Sequence, residues 1–117
     1  MHVYVVDDDD GVRRSCAILL RAHGYDTYPC PSAEAFLEVL SPAEACCLVL
    51  DIRMPGMNGI ELQSHLKTVG IEIPIIMLTG HGDVPLAVKA IKNGAIDFIE
   101  KPAEEAALLA ALTEAEA

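Results

Sequence analysis

Val3-Tyr4-Val5-Val6-Asp7-Asp8 decides the reading of this chain: four apolar residues run without a polar interruption and stop at two carboxylates. The pattern recurs. Cys47-Leu48-Val49-Leu50 stops at Asp51, Ile75-Ile76-Met77-Leu78 stops at Thr79, and Phe98-Ile99 stops at Glu100-Lys101-Pro102. Short apolar runs of this kind are strands buried on both faces, as in a parallel sheet covered by helices. In open sheets of that class the functional crevice lies beyond the carboxyl ends of the strands. Asp7, Asp8, Asp51, Thr79 and Lys101 are therefore expected on one edge, although they are spread over most of the chain.

Helical stretches alternate with these runs. Gly11 to His23 carries Val12, Cys16, Leu19 and Leu20 at helical spacing and ends at Gly24. A short strand is expected over Tyr25 to Tyr28, cut off by Pro29 and Pro31. Ser32 then caps a helix with Ala35, Phe36, Val39 and Leu40 inward, and Ser41-Pro42 ends it or begins a new short turn. A third helix covers Ile60 to Val69 with Leu62, Leu66 and Val69 inward, and a fourth covers Val84 to Asn93 with Pro85 in its first turn. The fifth strand, Ile96 to Ile99, precedes a helix from Ala103 to Glu116. Five strands alternating with five helices make a (βα)5 α/β domain, and right-handed crossovers put helices on both faces.

The 117 residues suit one domain with one core, and 52% hydrophobic but only 4% aromatic residues imply an aliphatic interior. A formal net charge of -10 disfavours a nucleic-acid-binding surface, which needs clustered Lys and Arg, so no direct nucleic-acid contact by this domain is expected. No apolar segment approaches the ~20 residues of a membrane span, and the N-terminal run is too short for a signal peptide. Cys16, Cys30, Cys46 and Cys47 form no C-x-x-C pair, so the expectation is buried reduced thiols in a cytoplasmic protein.

Three carboxylates at the end of an apolar sheet repel one another, and their pKa values rise unless a cation joins them. An oxygen-only cluster suits Mg2+ or Mn2+ rather than zinc, and such ions favour one or two carboxylates plus a phosphate oxygen. Asp9 and Asp10 have a simpler reading as N-terminal residues of the first helix. Asp51 stands alone before the Pro/Gly-rich loop Met54-Pro55-Gly56-Met57-Asn58-Gly59 and can act as a nucleophile toward phosphorus, giving an acyl phosphate. The metal would take one phosphoryl oxygen, the Lys101 ammonium another, and the Thr79 hydroxyl with the Gly80 N–H a third.

The set Val5-Val6-Asp7-Asp8, Leu50-Asp51-Ile52-Arg53-Met54-Pro55, Thr79-Gly80 and Lys101-Pro102 resembles the receiver domain of two-component response regulators, over essentially the whole chain. Leu78 to Val84 and Gly94 to Pro102 are most similar to the nitrogen-fixation-regulator subfamily, whose members attach the receiver to a helix-turn-helix domain. The resemblance implies a doubly wound, flavodoxin-like sheet of order 2-1-3-4-5 and a cis Lys101–Pro102 bond. It implies that Asp51 is the phosphoacceptor of a histidine kinase, and that Asp7, Asp8, Asp51 and the Arg53 carbonyl bind the ion. It further implies that Lys101 binds phosphate and that Thr79 and Phe98 form a switch pair. On that reading Thr79 is drawn to the phosphoryl group and Phe98 turns into the vacated space. The surface of the fourth helix, fifth strand and fifth helix is thereby repacked for a partner or a second copy, giving a phosphorylation-dependent homodimer. Arg53 and His81, each two residues after a site residue, are expected to tune the lifetime of the acyl phosphate.

The expected function is a signalling switch that catalyses only its own phosphorylation and dephosphorylation, with residues 1-117 forming the receiver and no output domain among them. The competing reading is a Mg2+-dependent phosphohydrolase working through an aspartyl phosphate. Hydrolases of that kind resemble one another in a second Asp two residues after the nucleophile, where this chain has Arg53.

Overall fold

The computed structural model describes residues 1–41, 46–80 and 82–116; His81 and Pro42, both singled out above, lie outside them. Ten elements follow in strict alternation: β1 (His2–Val6), α1 (Asp10–Ala22), β2 (Asp26–Cys30), α2 (Ala33–Val39), β3 (Cys46–Asp51), α3 (Gly59–Thr68), β4 (Ile75–Thr79), α4 (Val84–Lys92), β5 (Asp97–Glu100) and α5 (Glu105–Glu116). The strands pair in parallel in the order β2-β1-β3-β4-β5, the doubly wound order that the resemblance implied.

Strand side chains alternate between two cores, as the period of two demands. Tyr4, Val6, Leu48, Leu50 and Met77 pack with Phe36 of α2, Leu62 and Leu66 of α3, and Ala87 and Ala90 of α4. Val3, Val5, Cys47, Val49, Ile76 and Leu78 pack with Cys16 and Leu20 of α1 and Leu108, Ala111 and Leu112 of α5. The central strands β1, β3 and β4 are buried on both sides, which is why they read as unbroken apolar runs. All four cysteines are free and buried. Burial pushes the Cys47 thiol up to about 12 and the Cys30 thiol up to about 11, so both stay protonated at neutral pH.

Local chemistry sets the helix ends. Asp9, Ser32 and Asn58 each accept a hydrogen bond from the backbone N–H three residues on, and Asn58 forms a full capping box with Glu61. Gly24, Gly70 and Gly94 follow α1, α3 and α4 with φ of 88°, 78° and 112°, the left-handed conformation that lets a helix stop sharply.

Four expectations need correction. The second strand runs on through Pro29 to Cys30, because β2 is an edge strand and tolerates a residue with no N–H. Val39 and Val69, expected inward, are 56% and 52% exposed. Val39 ends a helix of only seven residues whose buried contacts come from Ala33 and Phe36, and Val69 is the C-cap beyond α3. In α3 the inward place falls instead to Gln63, a buried polar residue whose Nε2 donates to the Ala90 carbonyl at 2.9 Å and ties α3 to α4. Finally, α5 starts at Glu105 rather than Ala103, with the Leu108 N–H bonded to the Glu104 carbonyl.

Candidate functional site

Sheet register brings the distant residues together. Val6 lies opposite Leu50, so Asp7 and Asp51 come next to each other as their strands end. Asp51 is opposite Leu78, Thr79 is opposite Glu100, and the Lys101 N–H donates to the Thr79 carbonyl at 2.8 Å. Alternation then decides facing. Asp7 follows Val3 and Val5, Asp51 follows Cys47 and Val49, and Lys101 follows Ile99, so all three emerge on the α1/α5 side. Thr79 follows Ile75 and Met77 on the α2–α4 side, with Phe98 its diagonal neighbour there, since Phe98 pairs with Met77.

Lys101 Nζ lies 2.8 Å from Asp7 Oδ2 and 3.2 Å from Asp51 Oδ1, one ammonium bridging two buried carboxylates. Asp7 is fully buried; its Oδ1 accepts the Asp9 N–H at 2.9 Å, while Oδ2 has the Lys101 charge but no well-aligned donor. Among the described residues, Asp7, Asp8 and Asp51 offer carboxylate oxygens within 4.8 Å of one another, with Asp8 exposed to solvent. Burial first, then the Asp7 charge, pushes the Asp51 carboxyl up to about 7, against the opposing pull of Lys101. Burial lowers the Lys101 pKa, but its hydrogen bond and charge contacts with Asp7 and Asp51 outweigh that and hold it above the ordinary lysine value. A hard divalent cation fits these observations: the donors are all oxygen, Asp7 Oδ2 is under-coordinated, and Asp51 resists ionisation in the protein alone.

The loop after Asp51 is packed tightly. The Arg53 N–H reaches Asp51 Oδ1 at 3.4 Å, and the Gly59 N–H donates to the Ile52 carbonyl at 2.9 Å, closing the loop. A Cβ on Gly59 would sit 2.4 Å from the Asp51 carbonyl oxygen and 2.9 Å from Ile52 Cα. Gly59 thus lets α3 start directly against the backbone of Asp51, a role that a Pro/Gly-rich loop hints at without naming the residue. Arg13, not singled out in the sequence, donates from Nη1 to the Asp7 carbonyl at 2.7 Å and pairs with Asp10. Arg53 extends away into an ion pair with Asp83, Nε to Oδ1 at 2.7 Å. Asp83 carries no sequence signal beyond its place just ahead of Val84 and Pro85.

Thr79 is fully buried, its hydroxyl donating to the Gly80 carbonyl at 3.3 Å, and Phe98 is half-buried. The Lys101–Pro102 bond is cis. His81 lies outside the described residues. A cleft of about 460 Å3 between Gln63, Lys67, Pro74 and Gly94 lies at the other end of the strands, and none of the expected site residues lines it.

Residues 3–113 match the family model of the response regulator receiver domain. The chain belongs to that family. Receiver domains accept phosphoryl groups from histidine kinases and bind Mg2+ at an acidic pocket. This receiver is 50% identical over 110 residues to the transcriptional regulatory protein FixJ of Azorhizobium caulinodans, covering 94% of the chain and 52% of the relative. It is 46% identical to the response regulator protein TodT of Pseudomonas putida, covering 94% and 48% respectively. The chain therefore spans about half the length of the curated relatives it matches. Among solved structures, FixJ-N superposes with a TM-score of 0.90 at 46% identity, covering 97% of this chain and 91% of that one. The response regulator StyR does so with 0.91 at 49%, covering 97% and 58%. Among the described residues, no helix is long and apolar enough to cross a membrane.

Proposed function

We propose that Asp51 is the phosphoacceptor of a phosphorylation switch controlled by a histidine kinase. The observation that carries the reading is Lys101 Nζ held 2.8 Å from Asp7 and 3.2 Å from Asp51 at the rim of a three-carboxylate cluster. An Asp51 oxygen attacks phosphorus in line, the bond from phosphorus to the donor imidazole nitrogen breaks, and the electron pair leaves with the imidazole, which takes up a proton. Lys101 follows the charge as it moves from Asp51 to the phosphoryl oxygens. Asp7, Asp8, Asp51 and the Arg53 carbonyl would hold Mg2+ or Mn2+, which supplies neutralisation of phosphoryl charge when bound.

The relay uses the other face of the sheet. An acyl phosphate adds roughly -1.5 to -2 of charge and three strong acceptors. Thr79 Oγ1, which donates only to its own loop, turns to a phosphoryl oxygen, and half-buried Phe98 moves into the space released. The α4–β5–α5 surface changes, and a second copy or an attached module reads it. Residues 1–117 form the receiver unit, and the names of the relatives favour a transcriptional output joined to it elsewhere in a longer protein.

The test is to incubate the protein with acetyl phosphate and Mg2+ and weigh it intact. The wild-type chain gains one phosphoryl group and Asp51→Asn gains none. Turnover of acetyl phosphate without any accumulated adduct would favour the phosphohydrolase instead. Arg53 speaks against that alternative: where such hydrolases resemble one another in an acid/base Asp, this side chain is a cation engaged by Asp83.

A further inference from the structure

Three of the four arginines in this acidic chain gather along one side of α1. Arg13, Arg14 and Arg21 line a cleft of about 230 Å3 between α1 and β2, together with Ala17, Ile18 and Pro29. Backbone carbonyls hold two of the guanidiniums in place: Arg13 Nη1 donates to Asp7 at 2.7 Å and Arg21 Nη2 to Thr27 at 2.8 Å. Thr27 pairs with Val3 in the sheet and Asp7 follows Val3 by four residues, so the two carbonyls stand roughly 13 Å apart along the strands. Each guanidinium keeps further N–H donors for another acceptor. Arg14 is exposed and has no ion-pair partner among the described residues. Ala17 and Ile18 occupy the stretch of helix between the charged ends, and Ile18 is 63% exposed, the most open of the large apolar side chains described. The cleft is thus cationic at both ends and apolar in its middle.

We propose that this cleft binds a dianion with its charges at the two ends of an apolar chain, a medium-chain dicarboxylate. A planar guanidinium meets a carboxylate in a two-pronged, charge-assisted hydrogen bond. Arg13 and Arg14 take one end and Arg21 the other, while the methylenes lie on Ala17, Ile18 and Pro29 and remove Ile18 from water. Allowing about 3 Å at each end for the hydrogen bonds leaves roughly 7 Å between the charged ends, the span of an extended chain rather than of a compact anion. Asp10 is the acid now paired with Arg13; it is 79% exposed, and a pair so open to solvent holds weakly enough for an incoming carboxylate to displace it. The site does not depend on Asp51 being the phosphoacceptor. Arg13 nevertheless joins it to the carboxylate cluster, since the guanidinium that meets the ligand also holds the Asp7 carbonyl.

The experiment is a backbone-amide NMR titration of the whole chain with heptanedioate, heptanoate and succinate, at constant ionic strength set with NaCl. Heptanoate has the chain but one charge, and succinate has both charges on too short a chain. Heptanedioate should give saturable shifts at Arg14, Ile18, Arg21 and Tyr28 and bind about ten-fold more tightly than either comparison, the effect of one charge-assisted hydrogen bond. Arg14→Gln, at an exposed and unpaired position, should weaken heptanedioate by about the same factor. Arg21→Lys, which keeps a donor for the Thr27 carbonyl but loses the fork, should do likewise. Shifts that do not saturate, equal affinity for the three anions, or either variant binding heptanedioate as the wild type does, overturn the proposal. The comparison of anions uses the wild-type chain alone, so it decides the matter even where a variant misfolds.

Discussion

At the level of single residues, the chemistry of the site follows from how few charges share a dry corner. Asp51 keeps its proton to about pH 7 because burial and the Asp7 charge oppose ionisation more than Lys101 assists it. The sign of the consequence is fixed. Below about pH 4 Asp51 is protonated whether the chain is folded or not; between there and pH 7 the unfolded chain gives up this proton while the folded one keeps it. Folding stability of the metal-free protein should therefore decline over that interval and stay reduced above it, by about 2–4 kcal/mol from this group. Asp51→Asn removes the penalty. Urea unfolding with EDTA should find the Asn variant more stable at pH 7.5 and the two proteins alike near pH 4. Millimolar Mg2+ should restore much of the wild-type deficit by binding the folded state alone, and a variant no more stable than wild type at pH 7.5 would refute the assignment.

At the level of elements, what matters is how closely one helix approaches one strand. Gly59 begins α3 where any side chain would press on the Asp51 carbonyl, 2.4 Å from an ideal Cβ, and backbone has little room to yield. Gly59→Ala is predicted to cost about 1–3 kcal/mol, as overpacking does. It should also slow uptake of phosphoryl from acetyl phosphate, because relief of the clash displaces Asp51, the proposed acceptor; unchanged urea midpoint and uptake rate would disprove this. Most of the element pattern was legible in the chain. Doubly buried strands announce themselves as unbroken apolar runs, and Ser32, Gly24, Gly70 and Gly94 mark helix ends by their own chemistry. What escaped was tertiary. Gln63 looks like a surface residue until the Ala90 carbonyl is seen beside it, Pro29 looks like a strand breaker until β2 proves to be an edge, and Val39 and Val69 fail as inward residues because their helices stop. For the site, Asp7, Asp8, Asp51 and Lys101 were legible from their places at strand ends. Arg13, Gly59 and Asp83 were not, since each acts on a backbone or side chain brought close only by folding.

For the whole molecule, α4 presents Val84, Val88 and Ile91 to solvent at 37%, 42% and 37% exposure, spaced to share one side of the helix. In a chain otherwise so acidic, the proposed repacking of α4 and β5 would make that stripe the seat of self-association. Solution mass measured by light scattering should rise toward a dimer with beryllofluoride and Mg2+ present. Ile91→Glu should keep the chain monomeric under the same conditions without impeding phosphorylation; a variant that still dimerises would locate the contact elsewhere. The sheet itself has one further implication. Asp7, Asp51 and Lys101 leave it toward α1 and α5 while Thr79 and Phe98 leave it toward α4, so on the proposed reading the phosphoryl pocket and the pair that responds to it stand on opposite sides of a single layer one strand thick. If that reading holds, substitutions packed around the responding pair can alter how far the change travels while leaving the chemistry of the pocket untouched.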